Sequence, residues 1–524
     1  MKKYYITTPI YYVNDVPHIG HVFTTVVADF IAKMKKLLGY DTYFLTGTDE
    51  HGQKAERAAK KLTITPKEMA DKVVENYYKL WEQLHIEYSD FIRTTETRHI
   101  KGAIKFFERV MEKQDIYKGF YEGWYCWSCE AFWTETGPEN TCPDCGKLVE
   151  KTKEASYFFR LTKYQDRLLA YYKEHPDFIK PQGRHNEVVK FVESGLKDLS
   201  ISRTSVRWGV PVPHDPDHII YVWFDALSNY ITALNWDEEG ELYTKYWPAD
   251  LHLVGKDIVR FHCVYWPAFL MSAGLPLPRT IFGHGWWMMN SAKMSKTLGN
   301  VLKPEPLLKI LGCDPVRYFL LREAPIETDC DISLESIVAR LNADLANDYG
   351  NLISRTFQMA TKFFNGILTK RPVLGASETH ILDEFNSLKN DLDLLCTTIN
   401  LQEIFKRIWH LIYLLNRYID ENQPWAAIKL PEKKDAVEGN LYFVCDFIRI
   451  LSVLLYPAIP ESSKKVIESF GMTIKDINAT QLEYGLLPLG FELPKPMILF
   501  PRLDIKEIQN AQKISHLKYN KYNS

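Results

Sequence analysis

The sequence predicts an α/β fold with a parallel sheet that is interrupted by a cysteine-bearing insertion and followed by an all-helical region. Three observations lead to this prediction. Short β-prone stretches alternate with helical periodicity over residues 1–115 and again over 219–287, which is typical of a parallel sheet split in sequence. Between them, residues 116–218 are turn-rich, aromatic and carry four cysteines. From about residue 341 the β-prone stretches fade and heptad-like apolar spacing dominates.

The composition is that of an ordinary globular protein with several domains. Of its 524 residues, 46% are hydrophobic and 25% are charged, and the formal net charge is −2. Such a balance produces no global field that would attract nucleic acid, so a polyanionic partner must be held by local basic patches. The start MKKYYITTPI has no apolar signal core, and no later stretch is apolar for long enough to cross a bilayer. We therefore expect a cytoplasmic protein, or an organellar one after processing.

The first half of the predicted sheet begins with a strand, a loop and a long amphipathic helix. Residues 4–8 are β-prone, and apolar residues recur at three- and four-residue spacing from His18 to Leu38. Gly39 suits the end of this helix. A second strand, Thr42–Thr46, then ends in a polar turn and is followed by helical sequence from Lys54 to Lys61.

Two histidines stand where the first helix begins, in the stretch VPHIGH. Pro17 can start the helix, and the free N–H groups and positive dipole end of a helix attract anions. His18 and His21, one turn apart at that end, can donate hydrogen bonds to phosphate oxygens, and Gly20 would let a flat base approach the backbone. Taken alone, a pair of packing or surface histidines explains the stretch more simply. The turn has neither the G-x-G-x-x-G nor the G-x4-G-K-[ST] pattern, so dinucleotide and P-loop chemistry are disfavoured.

The insertion carries a cysteine pattern with metal-ligand spacing. Cys126 and Cys129 form one C-x2-C pair, and Cys142 and Cys145 form another after a gap of twelve residues. Thiolates on two tight turns can close a tetrahedral zinc site without an open position, so we predict a structural zinc. A chance grouping of buried thiols is the alternative. The other five cysteines are scattered, which argues against a secreted disulfide framework.

After the sheet resumes, the segment SAKMSKTLGN (291–300) places two lysines in a polar, glycine-containing loop. Lys293 and Lys296 flank Met294 and Ser295. Lysines in a mobile loop can close over a polyphosphate and neutralise charge as pyrophosphate leaves. Considered alone, a solvated basic loop is the simpler interpretation.

In this order and at this spacing, the motifs resemble those of class I aminoacyl-tRNA synthetases, and within that class the methionyl-tRNA synthetase family along nearly the whole chain. The resemblance lies in TTPIYYVNDVPHIGH (7–21), FLTGTDEHGQK (44–54), YVWFDALSNY (221–230), LVGKDIVRFHCVYWPA (253–268), AKMSKT (292–297), NDYGNLISR (347–355) and NRYIDENQPW (416–425). Thr297 stands where the family's loop usually ends in Ser, and it keeps the hydroxyl.

The resemblance implies five regions. These are a Rossmann-like catalytic domain in two halves (1–115 and 219–287), an inserted connective domain with a zinc knuckle (116–218), a region with the KMSKS-type loop and stem contacts (288–340), and a helical anticodon-binding domain (341–524). It also implies ligation of methionine to tRNA(Met) by way of methionyl-adenylate. In the first step the methionine carboxylate attacks the α-phosphorus of ATP, and in the second a terminal ribose hydroxyl of the tRNA takes the methionyl group.

The family's site residues map onto matching positions of this sequence. His18, His21, Lys293 and Lys296 would hold the ATP phosphates, with Mg²⁺ accompanying the nucleotide. Further ATP contacts are implied for Gly20, Gly255, Lys256, Asp257, Met294 and Ser295. Asp49 resembles the family's carboxylate for the substrate ammonium, and the slot for the methionine side chain is implied for Ile10, Tyr12, Trp223, Ala226, Tyr230, Ile258, His262 and Trp266. Without the family context, these aromatic residues would be taken as core.

For the tRNA, the resemblance implies contacts from one helix face and one stacking platform. Asn347, Asn351 and Arg355 recur at four-residue spacing and can read exposed base edges, while Pro424 and Trp425 would stack an anticodon base. Alternatively the asparagines bond locally and Trp425 plugs the helical bundle. Because the sequence ends shortly after the predicted bundle, we expect a monomer.

Two other functions stay open at this point. A small-molecule nucleotidylyltransferase shares the H-x-G-H helix start, although the helical C-terminal half counts against it. A non-catalytic, zinc-containing tRNA-binding protein is the second, although the intact histidines and lysines of both motifs argue against a degenerate site.

Overall fold

The structure is a computed structural model that describes residues 2–13, 16–126, 131–133, 136–143, 146–238, 240–289, 292–293, 303–323 and 325–509. At residues 131, 132, 289, 292 and 293 the description is limited to the backbone. Among the described residues, no helix has the length and apolar character needed to span a bilayer.

The first 115 residues alternate strands and helices, as the sequence predicts. The elements are β1 (Lys3–Thr7), β2 (Tyr11–Tyr12), α1 (Ile19–Leu37), β3 (Asp41–Asp49), α2 (Gln53–Lys61), α3 (Pro66–Gln83), β4 (Asp90–Arg93) and α4 (Thr97–Glu112). The strand predicted at Thr42–Thr46 is longer in the structure because β3 pairs in parallel with β1, β2 and β4. Its C-terminal residues therefore have hydrogen-bonded neighbours even where the sequence turns polar.

The segment predicted as an insertion contributes mostly antiparallel structure. Its elements are β5 (Ile116–Cys126), β6 (Ala131–Trp133), β7 (Glu150–Phe159), α5 (Gln165–Glu174), β8 (Ile179–Lys180), α6 (Gln182–Glu193), β9 (Leu199–Ser200), β10 (Ser202–Arg203), β11 (Pro211–Val212) and β12 (Asp215–Ile220). The two long strands β5 and β7 pair from Ile116↔Phe159 to Tyr125↔Glu150. One element departs from this pattern, because β8 joins the main parallel sheet.

The second half of the sheet and the segment after it follow. They comprise α7 (Val222–Leu227), α8 (Asn229–Thr232), α9 (Glu241–Tyr246), β13 (Leu251–Gly255), α10 (Trp266–Ala273), β14 (Ile281–His284), β15 (Trp287–Met289), β16 (Ala292–Lys293), α11 (Pro304–Leu311), α12 (Cys313–Arg322), β17 (Cys330–Asp331) and α13 (Leu334–Arg340). A π-helical turn, Phe261–Tyr265, precedes α10. The last three strands form a small separate sheet with β15 in the middle.

One parallel sheet unites the two halves of the α/β region. β13 pairs with β1 at Ile6↔Leu251 and Thr7↔His252, and β14 pairs with β13 on its other side. Segments that lie about 245 residues apart in the sequence are thus adjacent strands. The prediction of a parallel sheet split in sequence is confirmed.

After residue 469 the described chain is mostly irregular up to residue 504, whereas the residues from 341 to 469 are mostly helical, as predicted. They form a π-helical segment (Leu341–Gly350), α14 (Asn351–Phe364), α15 (Ala376–Thr397), α16 (Leu401–Asn422), α17 (Pro424–Ala427), α18 (Lys434–Leu455) and α19 (Pro460–Ser469). A buried ion pair on α1 contacts this region: the Arg317 guanidinium on α12 lies 2.6 Å from the Asp29 carboxylate on α1 and also donates to the carbonyl oxygens of Leu84, Pro457 and Ala458, of which the last two lie in the helical region. Because both ions are fully buried, removing one would leave the other uncompensated.

Candidate active site

A cavity of about 410 Å³ opens at the carboxyl ends of the parallel strands, where ligands bind in open α/β sheets. Asp49 comes from the end of β3, Gly255 from the end of β13 and His284 from the end of β14. Ile10 follows β1 directly, and the N-terminus of α1 supplies His18 and His21. The cavity therefore joins both halves of the split sheet.

The two histidines at the start of α1 are held in a fixed arrangement. His18 is the N-cap residue: its Nδ1 accepts a hydrogen bond from the Gly20 N–H at 3.1 Å, and its own N–H donates to His21 Nδ1 at 3.3 Å. The rings stack with centroids 3.7 Å apart. Because each Nδ1 accepts from the backbone, the proton of each neutral ring lies on Nε2, which makes that nitrogen a donor. A Cβ atom at Gly20 would lie 2.9 Å from the His18 ring, so no larger residue fits there without moving it.

Burial keeps His21 uncharged. Its pKa lies well below the usual 6.5, first because burial penalises the charged form and second because His18 is adjacent. His21 therefore offers a hydrogen bond to an anion through a neutral ring, while the end of α1 offers the positive end of a helix dipole.

The opposite wall of the cavity is aromatic and apolar. Tyr230 donates from its hydroxyl to His262 Nε2 at 2.7 Å, and His262 Nδ1 donates to the Ile258 carbonyl oxygen at 2.9 Å. Burial lowers the pKa of His262 to about 4, so this ring stays neutral and its tautomer is fixed by the two bonds. Trp223, which also lines this wall, stacks face to face on Phe261 with centroids 3.8 Å apart.

Asp49 is the acidic group on the floor of the cavity, and its two following neighbours fix the turn that carries it. The Glu50 carboxylate, fully buried, accepts from Arg93 Nε at 2.6 Å and from Nη2 at 3.1 Å. His51 Nδ1 donates to Asp225 at 2.7 Å. Because the two residues after Asp49 are both held by buried contacts, the backbone that carries Asp49 has little freedom to move.

Asp225 is the centre of a buried network that connects this turn to the aromatic wall. Its second oxygen accepts from His99 Nε2 at 2.8 Å, and His99 Nδ1 lies 2.8 Å from Thr232 Oγ1. Burial alone would raise the pKa of Asp225, but the contacts with His51 and His99 lower it to about 2, so the carboxylate stays ionised. Asp225 directly precedes Ala226, a cavity residue, so the network fixes the wall and the floor relative to each other.

The structure brings most of the predicted substrate residues together. Those that line the cavity are His18, Gly20, His21, Ile10, Tyr12, Asp49, Trp223, Ala226, Tyr230, Gly255, Asp257, Ile258 and His262. Two do not line it. Trp266 is fully buried behind Tyr230, with ring centroids 6.0 Å apart, and Lys256 lies at the cavity mouth, where its ammonium is 2.6 Å from Asp329.

Part of the predicted lysine loop lies outside the described residues. This holds for Met294, Ser295 and Lys296, whereas the backbone of Lys293 is described as part of β16, paired with Met288. Two of the predicted zinc ligands, Cys129 and Cys145, also lie outside the described residues. The other two, Cys126 and Cys142, are buried in one small apolar cluster with Val149.

The residues predicted to contact tRNA lie in the helical region. Asn347 falls in the π-helical segment, Asn351 begins α14, and both are exposed. Arg355 donates to the Asp420 carboxylate at 2.8 Å. Pro424 is buried at the start of α17, whereas the Trp425 side chain is 46% exposed and does not plug the bundle.

Several cavity residues were not predicted from the sequence. Thr24 Oγ1 lies 2.8 Å from His284 Nε2, and both residues line the cavity together with Trp286 and Trp287. Thr24 lies one turn after Gly20 on α1, so helical spacing was a usable signal for it. His284 ends a buried strand, IFGH, and the carboxyl ends of parallel strands are where such residues belong. Asp329, which contacts Lys256 beside the cavity, was not predicted either, because no local pattern in the sequence distinguishes it from other acidic residues.

Comparisons with known proteins agree with this geometry. The model of the family "tRNA synthetases class I (M)" matches residues 4–153 and 145–357, and the model "Anticodon binding domain of methionyl tRNA ligase" matches residues 371–515. The methionine–tRNA ligase of Caldanaerobacter subterraneus subsp. tengcongensis is 47% identical over 98% of this chain and 81% of its own length. That of Thermotoga maritima is 44% identical over 97% of this chain and 82% of its own length.

Solved structures give the same result. The methionyl-tRNA synthetase of Mycobacterium tuberculosis in complex with methionyl-adenylate superimposes with a TM-score of 0.93 at 42% identity, over 96% of this chain and 100% of that chain. The free form from the same organism superimposes with a TM-score of 0.85 at 39% identity, over 96% and 99% of the two chains.

The neutral histidines predict a specific dependence of stability on pH. The pKa of His262 is about 4 in the folded protein and about 6.5 when unfolded, so between these values only the unfolded chain takes up the proton. The stability that neutral His262 contributes is complete above about pH 6.5 and is lost progressively as the pH falls towards 4, on the order of 2 kcal/mol by pH 5. We expect the melting temperature of His262→Asn to fall less between pH 7 and pH 5 than that of the parent.

The control is His85→Asn, since His85 is half exposed at the surface. Its melting temperature should follow the pH dependence of the parent. Parallel curves for the parent and His262→Asn would contradict the assignment of a depressed pKa to His262.

Proposed function

The chain belongs to the methionyl-tRNA synthetases of class I, and on that premise we propose which of its residues carry each step. It ligates L-methionine to tRNA(Met) with ATP through methionyl-adenylate, and it releases AMP and pyrophosphate. The observation that carries the residue assignments is the single cavity in which the N-terminal histidines of α1, the carboxylate of Asp49 and an aromatic wall meet.

In the activation step, we propose that His18 and His21 donate from Nε2 to the phosphate oxygens of ATP. The support is their position at the helix N-terminus and the backbone hydrogen bonds to both Nδ1 atoms, which leave Nε2 of each ring to face a ligand. As the methionine carboxylate attacks the α-phosphorus, negative charge shifts towards the leaving pyrophosphate. Donors that are already oriented stabilise that charge without reorganising in the transition state. Lys293 and Lys296 are proposed to supply the positive charge, with Met294, Ser295 and Gly20 next to the nucleotide.

Methionine itself is proposed to bind against the aromatic wall with its ammonium on Asp49. A thioether sulfur gains about 0.3–1.5 kcal/mol from each aromatic contact, which suits a slot lined by Tyr12, Trp223 and Tyr230. Trp266 supports this slot from behind. An apolar slot discriminates against a substrate shorter by one methylene by only about 1–3 kcal/mol, so we expect homocysteine to be activated as well.

Two metal ions are proposed, with different roles. Mg²⁺ would accompany ATP and neutralise its phosphates. Zinc would be held by Cys126, Cys129, Cys142 and Cys145. Support for zinc comes from the burial of Cys126 and Cys142 in one cluster, and from the hydrogen bond that the Gly146 N–H donates to the Cys142 carbonyl oxygen at 2.9 Å. Such an ion orders its segment of chain and takes no part in the reaction.

For the tRNA, we propose that Asn347, Asn351 and Arg355 read anticodon bases and that Trp425 stacks one of them. The exposure of both asparagines and of the Trp425 ring supports this, because single-stranded bases bind to exposed amides and aromatic faces. The buried Pro424 would fix the start of α17 and thereby the position of Trp425.

The two alternative functions are disfavoured. The family matches extend over both the catalytic and the helical regions, which a small-molecule nucleotidylyltransferase would not explain. A non-catalytic tRNA-binding protein would have no need to keep the histidines, Asp49 and the aromatic wall around one cavity.

We predict methionine-dependent exchange of pyrophosphate into ATP. His21→Ala should lower kcat about 100- to 1,000-fold, because it removes one oriented donor to the reacting phosphates. His410→Ala, a change of an exposed histidine on α16, is the matched control and should leave kcat unchanged. Exchange with leucine or cysteine but not with methionine would defeat the proposed specificity.

Trp425→Ala should weaken tRNA binding without affecting adenylate formation. Stacking on an aromatic ring contributes roughly 1–3 kcal/mol, so KM for tRNA(Met) in aminoacylation should rise about 5- to 100-fold while pyrophosphate exchange stays at the parental rate. Leu394→Ala serves as control, since Leu394 is an exposed apolar side chain near the opposite end of the α15–α16 hairpin. Equal KM values for the two variants would refute the proposed platform.

Elemental analysis should find one zinc ion per chain in the purified protein. Cys126→Ser should reduce that content and lower the melting temperature, because the ion contributes folding energy. The control is Cys396→Ser, which alters a buried cysteine of the helical region. Unchanged metal content in Cys126→Ser would rule out the proposed ligand set.

A further inference from the structure

The lysine at the cavity mouth has an acidic partner that comes from a distant part of the chain. Lys256 follows β13, and its ammonium nitrogen lies 2.6 Å from Asp329 Oδ2 and 4.1 Å from the centre of the Trp286 ring. The second oxygen, Asp329 Oδ1, accepts from the Trp286 backbone N–H at 2.9 Å. The Trp286 indole N–H in turn donates to Asp257 at 3.2 Å. Two acidic groups, one ring and one ammonium thus form a connected set at the mouth.

The segment that carries Asp329 is fixed firmly in place. Its backbone runs beside residues 285–288, with hydrogen bonds from the Gly285 N–H to the Ile326 oxygen and from the Cys330 N–H to the Trp286 oxygen, each at 2.9 Å. The approach is so close that a Cβ at Gly285 would lie 2.2 Å from the Thr328 carbonyl oxygen. Glycine is therefore required where the two segments meet, and Asp329 has little freedom to move away from Lys256.

The electrostatics of the pair agree with this geometry. Burial by itself would raise the pKa of Asp329, but the hydrogen bonds from Lys256 and from the Trp286 N–H lower it below its usual value, so the carboxylate is ionised. Lys256 is also largely removed from solvent, with its side chain 18% exposed. The contact is thus a charge-assisted hydrogen bond and stronger than a bond between two exposed ions.

We propose that Asp329 is a positioning residue for ATP, which holds the Lys256 ammonium over Trp286 at the mouth of the cavity. The proposal rests on the assignment of Lys256 to the nucleotide. An ammonium group has three N–H donors, so the bond to Asp329 leaves two that can reach the ribose or phosphates next to Gly255 and Asp257, which line the cavity.

A lysine needs such a partner for entropic reasons. Its flexible four-carbon stem loses considerable rotamer freedom when it is fixed. If Asp329 has already fixed the Lys256 side chain, this entropy is lost on folding and does not weaken nucleotide binding. A purely structural ion pair would instead affect the stability of the fold and both substrates alike.

The test is Asp329→Asn, assayed by methionine-dependent pyrophosphate exchange with each substrate varied in turn. We expect KM for ATP to rise about five- to tenfold while KM for methionine changes less than twofold. Asp329→Glu, which keeps the charge, should recover part of the loss. Glu327→Gln is the matched control, since it removes one acidic charge from an exposed side chain of the same segment and should leave both KM values unchanged.

A double-mutant cycle with Lys256→Met decides whether Asp329 acts through the lysine. In the Lys256→Met background, Asp329→Asn should have no further effect on KM for ATP. An undiminished effect in that background, equal changes in both KM values, or an unchanged KM for ATP in Asp329→Asn would overturn the proposal. If Asp329→Asn does not fold, Asp329→Glu completes the same cycle. Absence of exchange in the parent protein would contradict the proposed function, so the two failures are distinguishable.

Discussion

The parallel pairing of β1 with β13 is the contact on which the candidate active site depends. It joins Ile6 and Thr7 to Leu251 and His252, and side chains reinforce it: Asp250 accepts from the Tyr5 N–H at 2.8 Å, and Thr7 Oγ1 lies 2.7 Å from His252 Nδ1. Without this pairing, the N-terminus of α1 and the segment after β13 would not face the same cavity. The long excursion between the two strands is tolerated because loop-closure entropy grows only slowly with length. The excursion also returns a strand of its own, β8, to the far edge of the sheet.

Neutral hydrogen-bonding side chains and charged side chains occupy different parts of the cavity. Burial lowers the pKa of His21, His262 and His284, so these rings act through hydrogen bonds whose direction is fixed by their neighbours. The formal charges lie on the floor and at the mouth, on Asp49, Asp257 and Lys256. This division suits a reaction between two anions, a carboxylate and a phosphate. Oriented neutral donors can stabilise the phosphates without adding charges that must themselves be desolvated.

Charged contacts attach the helical region to α1, and at least one partner of each is buried. Besides the pair Asp29–Arg317, the Lys35 ammonium on α1 lies 2.6 Å from Asp393 on α15 and also donates to Thr397 at 2.6 Å. Both contacts start from α1, the helix that begins with His18 and His21. Because charged groups that are removed from water require good hydrogen-bond geometry, the buried Arg317, which donates to the Pro457 and Ala458 carbonyl oxygens, and the buried Lys35 restrict the orientation of the helical region relative to α1.

Most of the helices and strands, and the type of chemistry, could be predicted from the amino-acid sequence. Alternating periodicities gave the split parallel sheet and the helical C-terminal half, because apolar spacing is a local consequence of which face of an element is buried. Motif order identified the family, and the predicted His18, Asp49, Tyr230 and His262 do line one cavity. Only the tertiary structure decided which residues meet across long separations. It placed Trp266 behind the pocket, Lys256 on Asp329 and β8 in the main sheet. These contacts join segments that are far apart in the sequence. A salt bridge or a strand pairing depends on the path of the chain, and the spacing of residues within either segment does not predict it.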